Sequence, residues 1–208
     1  MIHIDLHSPP EEPANEAQRQ KAVERSGVLR RRKDPALQKV VDKAAEVFQA
    51  PIAAISVIDR DRHWFLAGVG LEAEETPRAV SFCAHAILRP DEPLVIPDTR
   101  RDHRFSGNPQ VMFAPHIRFY AGVPLVDRQG YPLGALCIGD CRPRSAQPGL
   151  FALSLLAREA ERLIARRFLA LGRPVKPSSC SHETAPPSLP AAAAAPVTPR
   201  ARWPGRPW

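Results

Sequence analysis

The sequence has no run of 18 consecutive apolar residues, so no membrane-spanning helix is expected. Its opening stretch, MIHIDLHSPPEEP, lacks the basic leader and apolar segment of a secretory signal. It holds only two methionines, two tyrosines and four cysteines, and no internal repeat is visible. With no export signal, the expected location is the cytoplasm, and Cys83, Cys137, Cys141 and Cys180 are expected as free thiols. The run RRRK at residues 30–33 has neither an interleaved aromatic residue nor a groove-binding motif beside it, so no nucleic-acid site is expected.

What is present is a core-forming middle with different ends. Of 208 residues, 44% are hydrophobic, and nearly all the periodic apolar pattern lies between residues 34 and 170. That stretch carries 17 basic and 16 acidic residues, so most of the net charge of +7 belongs to the two ends. Residues 172–208 are rich in proline and include PAAAAAP. Such a segment has too little large apolar surface to offset its ordering entropy. The expected organisation is a flexible start over 1–18, one domain over 19–171 and a disordered basic tail over 172–208.

The element order reads helix, strands, helix. DPALQKVVDKAAEVFQAP is amphipathic, with Asp34 as cap and Pro51 near its end. IAAISVIDRDRHWFLAGVG reads as two strands turning at residues 59–62, and strands this close pair antiparallel. An acidic loop, LEAEETPR, precedes a short helix over FCAHAIL that Ser81 can cap. PLVIPD has room for one brief strand, and TRRDHRFSGNPQ reads as a loop. IRFYAGVPLV and YPLGALCIGD read as strands joined through RQG, with Pro124 and Pro132 confined to ends, bulges or edges. The longest helical run is PGLFALSLLAREAERLIARRFLALG. The expected class is α+β, an antiparallel sheet covered by helices on one side.

Several ordered blocks, ETPR, SFCAHAI, RFYAGVPL and LGALC, together resemble a GAF domain of the subclass found in bacterial sensor histidine kinases and diguanylate cyclases. The resemblance spans about residues 19–169. It implies a central antiparallel sheet with the N- and C-terminal helices on one face and loop-and-helix excursions enclosing a possible ligand cavity on the other. By block matching, SFCAHAI and PDTRRDHRF fall on the cavity side.

The chemistry turns on SFCAHAI. Cys83 and His85 are two apart, and on a helix such side chains diverge, which argues against a shared metal ion or a thiol–imidazole couple. No oxyanion-forming glycine turn precedes Cys83, so no catalytic residue is expected. Two readings stay open. Cys83 is a buried small hydrophobe, or Phe82, Cys83, His85, Asp98, Arg104, Phe105 and Phe119 line a pocket for an unidentified small molecule. Strand alternation sets Phe119 opposite Arg118 and Tyr120, so at most one of those sets enters a pocket. A cavity-thiol oxidoreductase resembling methionine sulfoxide reductases, using Cys83, is the enzymatic alternative, and no cofactor can be named. A ligand-free interaction scaffold is the third reading. The long final helix carries a second apolar set, Leu155, Ile164 and Phe168, from which a weak homodimer or a contact with a signalling protein is expected.

Overall fold

The computed structural model describes residues 7–30, 34–145 and 149–171, without the side chains of residue 30 and residues 167–171. All of these belong to the first of two units into which the chain divides, Met1–Pro174. The tail expected over 172–208 lies outside the described residues.

Helix α1 spans Glu16–Ser26, so the domain boundary read at residue 19 falls inside it. Its buried residues are Arg19, Ala22, Val23 and Ser26. Only two of these are apolar, too few for a 3.6-residue period to show in the sequence. Helix α2 (Pro35–Phe48) begins as read: the Asp34 carboxylate accepts the Ala36 N–H at 2.9 Å, and Pro35 occupies a position where its missing donor costs nothing. Leu37, Val40, Val41 and Ala44 form its buried face.

Six strands follow: β1 (Ile52–Asp59), β2 (Arg62–Val69), β3 (Glu75–Pro77), β4 (Leu94–Ile96), β5 (Phe119–Val126) and β6 (Pro132–Asp140). Their order in the sheet is β3-β2-β1-β6-β5-β4, with every neighbouring pair antiparallel. The acidic stretch read as a loop thus contains β3, an edge strand of three residues whose side chains stay largely in solvent. Its pairing is a backbone affair, which leaves no apolar alternation to detect. Pro132 opens β6, and Pro124 lies beyond the short reach of β4, where β5 has an open edge and no ladder donor is missed. At Gly134 a Cβ would come 2.0 Å from the Ser56 carbonyl oxygen, so the close approach of β6 to β1 requires glycine there.

Central strand β1 is buried along its whole length because both faces of the sheet are covered. Behind it, Ala53, Ile55, Val57, Phe119, Leu136 and Ile138 share one core with α1, α2 and α5 (Leu150–Leu171). In front, Ala54, Ile58, Tyr120, Ala135 and Cys137 meet α3 (Phe82–Ala86), Phe105 and Val111 of α4 (Pro109–Met112). The fold is α+β with the terminal helices on one face. No described helix is long and apolar enough to cross a membrane.

Helix α5 buries Leu153, Ala157, Ala160 and Ile164, a stripe at helical spacing. This corrects one expectation. Ile164, read as part of a dimer seam, is 5% exposed and belongs to the core. Leu155 is 49% exposed and Phe151 is 78% exposed, whereas the side chain of Phe168 lies outside those described.

Candidate functional site

Ser81 starts α3 by accepting the Ala84 N–H at 3.1 Å, as its position before FCAHAI suggests. One turn of helix then points Phe82, Cys83 and Ala86 inward. The buried Asn108 ties this layer together by donating from Nδ2 to the Val80 carbonyl at 3.0 Å while its Oδ1 caps α4 at the Gln110 N–H. Thr99 does similar work, donating its hydroxyl to the Ile117 carbonyl at 2.7 Å.

Aromatic rings fill the space between α3 and the sheet. Phe82 stacks on Phe105 with centroids 4.5 Å apart and on Tyr120 at 5.1 Å. His85 meets Phe105 edge-on at 4.7 Å, and the Arg104 guanidinium lies 5.1 Å above the same ring. Arg104 is held there by a two-pronged bond to Asp102, at 2.9 and 2.6 Å. The start of the described chain closes over this rim. The Ser8 N–H donates to the Arg104 carbonyl at 3.3 Å, and the His7 ring spans that carbonyl and the Ala79 carbonyl. A neutral imidazole can donate to only one of the two at a time.

Of the residues read as a pocket, Phe82, Cys83 and Phe105 share this buried layer, and His85 and Arg104 stand at its rim. Two do not join them. Asp98 caps the turn at Thr99–Arg101, where it accepts the Arg100 N–H and pairs with the Arg100 side chain at 2.8 Å. Phe119 sits in the core behind the sheet, under the Arg144 guanidinium. The period of two along β5 gives the front position to Tyr120 instead. Cys137, Ser56 and His63 also face this layer. Their strand parity was the signal available, since Ala54, Ser56 and Ile58 alternate with a purely apolar set.

The inner end of the layer is sulfur-rich. Cys83 Sγ lies 3.7 Å from Cys137 Sγ, and the Tyr120 hydroxyl donates to Cys83 Sγ at 3.3 Å. Tyr120 is pushed well above its ordinary range by burial and by the neighbouring sulfurs, so it remains a donor. Among the described residues no group of three or more His, Cys, Asp or Glu side chains could hold a metal ion.

His85 is the acid-sensitive element. Burial, together with the Arg104 charge, lowers its pKa from 6.5 to about 4, against the opposing pull of the Ser8 carbonyl. The unfolded chain therefore binds a proton that the folded chain refuses between these values. Folding stability should fall as pH drops from 6.5 towards 4, by no more than about 1 kcal/mol per pH unit given the partial exposure of the ring. Urea unfolding of His85→Phe across that window checks this: the variant should lose less stability on acidification than the wild type.

A concavity of about 570 Å³ lies elsewhere, behind the sheet between α1, α5 and the β5–β6 hairpin. Leu125, Leu133 and Ile164 line it together with arginines that include Arg25, Arg158 and Arg166. None of the residues read as a pocket borders it.

A six-stranded antiparallel sheet with three helices behind and short helices in front defines an α+β fold. The family model for the GAF domain matches residues 33–166, and the chain belongs to that family. It is 43% identical over 135 residues to a cyclic di-GMP phosphodiesterase of Pseudomonas aeruginosa, a match covering 65% of this chain but 23% of that protein. The solved GAF domain of a phosphoenolpyruvate-protein phosphotransferase from Coxiella burnetii is 18% identical, with a TM-score of 0.52 over 74% of this chain and 96% of that one. The free methionine-R-sulfoxide reductase of Neisseria meningitidis, solved with its substrate, is 17% identical, with a TM-score of 0.52 over 73% and 87%. At such identities the solved structures speak for the fold alone.

Proposed function

We propose that this chain is a non-enzymatic regulatory GAF module of bacterial signalling, of the subclass that accompanies histidine kinase and diguanylate cyclase outputs. The observation that carries this is the 43% identity to a segment making up only 23% of a cyclic di-GMP phosphodiesterase. A match of that kind is to one part of a longer signalling enzyme. The layer in front of the sheet receives the signal, and the surface formed by α1 and α5 passes it on. The setting is the cytoplasm, where free thiols persist.

The front layer is lined as a receptor for a small, largely apolar molecule, with Arg104 and His85 orienting one polar end. Phe82 and Phe105 fill the space, so a ligand binds by displacing rings. A thermal-shift screen of nucleotides, amino acids and aromatic acids tests this. A true ligand raises the unfolding midpoint of the wild type and loses that effect in Phe105→Trp. If no compound does so, the ring-filled layer favours the ligand-free scaffold. The thiol contact between Cys83 and Cys137 is the one observation favouring the oxidoreductase reading.

The transmitting surface predicts weak self-association. Phe151 and Leu155, one turn apart on α5, are exposed beside Arg158 and Arg162, so the patch is apolar but charge-flanked. Light scattering over a concentration series should show a dimer appearing only at high concentration. The double variant Phe151→Glu with Leu155→Glu should stay monomeric throughout.

A further inference from the structure

Two thiols 54 residues apart in sequence meet in the front layer. Cys83 reaches down from α3 and Cys137 up from the middle of β6, and the sulfurs are 3.7 Å apart. The surroundings are unusual for a packing contact. Tyr120 donates a hydrogen bond to Cys83 Sγ, and Ser56 and His63 face the same sulfur from β1 and β2. Apart from this sulfur, Ser56 Oγ and His63 Nε2 are buried with no hydrogen-bond partner among the described residues, an arrangement that costs stability in a core whose only task is to pack. Gathered round one sulfur, these groups are suited to holding it as a thiolate.

We propose that Cys83 and Cys137 form a reversible intramolecular disulfide, with Cys83 attacking a peroxide and Cys137 resolving the product. The inference does not depend on whether the layer also takes a ligand. Hydrogen bonding with Cys137 holds the Cys83 thiol well below its ordinary range; burial opposes this, and His63 and Ser56 support it. Cys137, hydrogen-bonded to Cys83 and buried, is pushed well above its own range. The first proton of the pair is therefore lost from Cys83, and the thiolate is the nucleophile.

The chemistry closes without a cofactor. The Cys83 thiolate attacks one oxygen of hydrogen peroxide, the O–O bond breaks, and the departing hydroxide takes up the proton released from Cys83 as water. Cys83 is left as a sulfenic acid, oxidised by two electrons. Cys137 then attacks the Cys83 sulfur. The S–S bond forms as the S–O bond breaks, and the hydroxyl leaves as a second water with the Cys137 proton. The sulfurs must approach by about 1.6 Å to reach disulfide length, within the range of a side-chain rotation on the one-turn helix α3. Because both sulfurs are buried, the oxidant is a small uncharged peroxide rather than a bulky disulfide. The product pins α3 to the central sheet, which makes the front layer more rigid.

The test uses the full chain carrying Cys141→Ser and Cys180→Ser, so that only this pair remains. After treatment with hydrogen peroxide, denaturation and alkylation, the intact mass should show two hydrogens lost and no alkylatable thiol. Peptide mapping should find the Cys83 and Cys137 peptides linked, and dithiothreitol should restore both thiols. Adding Cys137→Ser should leave Cys83 as a sulfenic acid that a dimedone probe traps, whereas adding Cys83→Ser should leave Cys137 unreacted. Circular dichroism establishes that each variant is folded, and the linked-peptide measurement decides the matter even if one is not. Two alkylatable thiols surviving peroxide, or links found only between separate chains, would overturn the proposal.

Discussion

Replacing Arg19 with alanine should cost about 2–4 kcal/mol of folding stability, from the loss of a wholly buried side chain and of its charged hydrogen bonds to the Ile58 carbonyl and the partly exposed Glu16. Arg19 is 0% exposed although it lies on a helix of otherwise polar character. Its guanidinium donates to both oxygens of Glu16, at 2.6 and 2.8 Å, and to the Ile58 carbonyl at 2.8 Å. Glu16 in turn accepts from Arg78 at 2.5 Å, so one carboxylate joins α1 to the segment leading into α3. Truncation leaves a cavity, an unpaired carbonyl and a half-paired carboxylate. Arg19→Lys keeps the charge but loses the fork, and should fall between wild type and Arg19→Ala in guanidinium midpoint.

The same network fixes an acid limit. Burial disfavours ionised Glu16, but the hydrogen bonds and charges of Arg19 and Arg78 outweigh it and lower its pKa to about 2. The group's folded value is depressed, so its contribution is present above the unfolded value of 4.5 and is lost as pH falls towards 2. In Arg19→Ala the folded value moves back towards 4.5, so the Glu16 contribution should be smaller and its loss complete at higher pH.

Phe105→Ala is the second large effect. The ring is wholly buried and in contact with Phe82, His85 and the Arg104 guanidinium. Deleting it removes apolar area and leaves a void beneath Phe82 and His85. A loss of about 3–5 kcal/mol is expected, and Phe105→Leu should lose much less. Opening the layer also lets water reach His85, so its pKa should return towards 6.5. A histidine NMR titration of both variants would show this directly.

Most of the sheet is legible in the sequence because β1, β2, β5 and β6 carry alternating or continuous apolar residues bounded by turn chemistry. The Asp34 and Ser81 caps are legible for a similar reason, since short oxygen-bearing side chains before a periodic run have few other roles. What escapes is held by polar groups or by backbone alone. Helix α1 is anchored by a buried arginine, β3 by ladder bonds, and α4 by the Asn108 cap, none of which produces an apolar period. Block matching sets Phe82, Cys83, Phe105 and Phe119 in one layer; the first three do share the layer in front of the sheet, whereas Phe119 lies behind it. A one-residue choice of parity decides between Phe119 and Tyr120, and only the register of β5 against β6 resolves it. The meeting of Cys83 with Cys137 depends on the same register.

The claim that this GAF module regulates rather than catalyses is tested most directly by incubating the reduced chain with free methionine-R-sulfoxide and excess dithiothreitol, and following methionine release beside a Cys83→Ser control. Identical slow background rates are expected in both, with the sulfoxide recovered unchanged. Sustained release of many methionines per chain, abolished by Cys83→Ser, would contradict the claim and make the domain an enzyme.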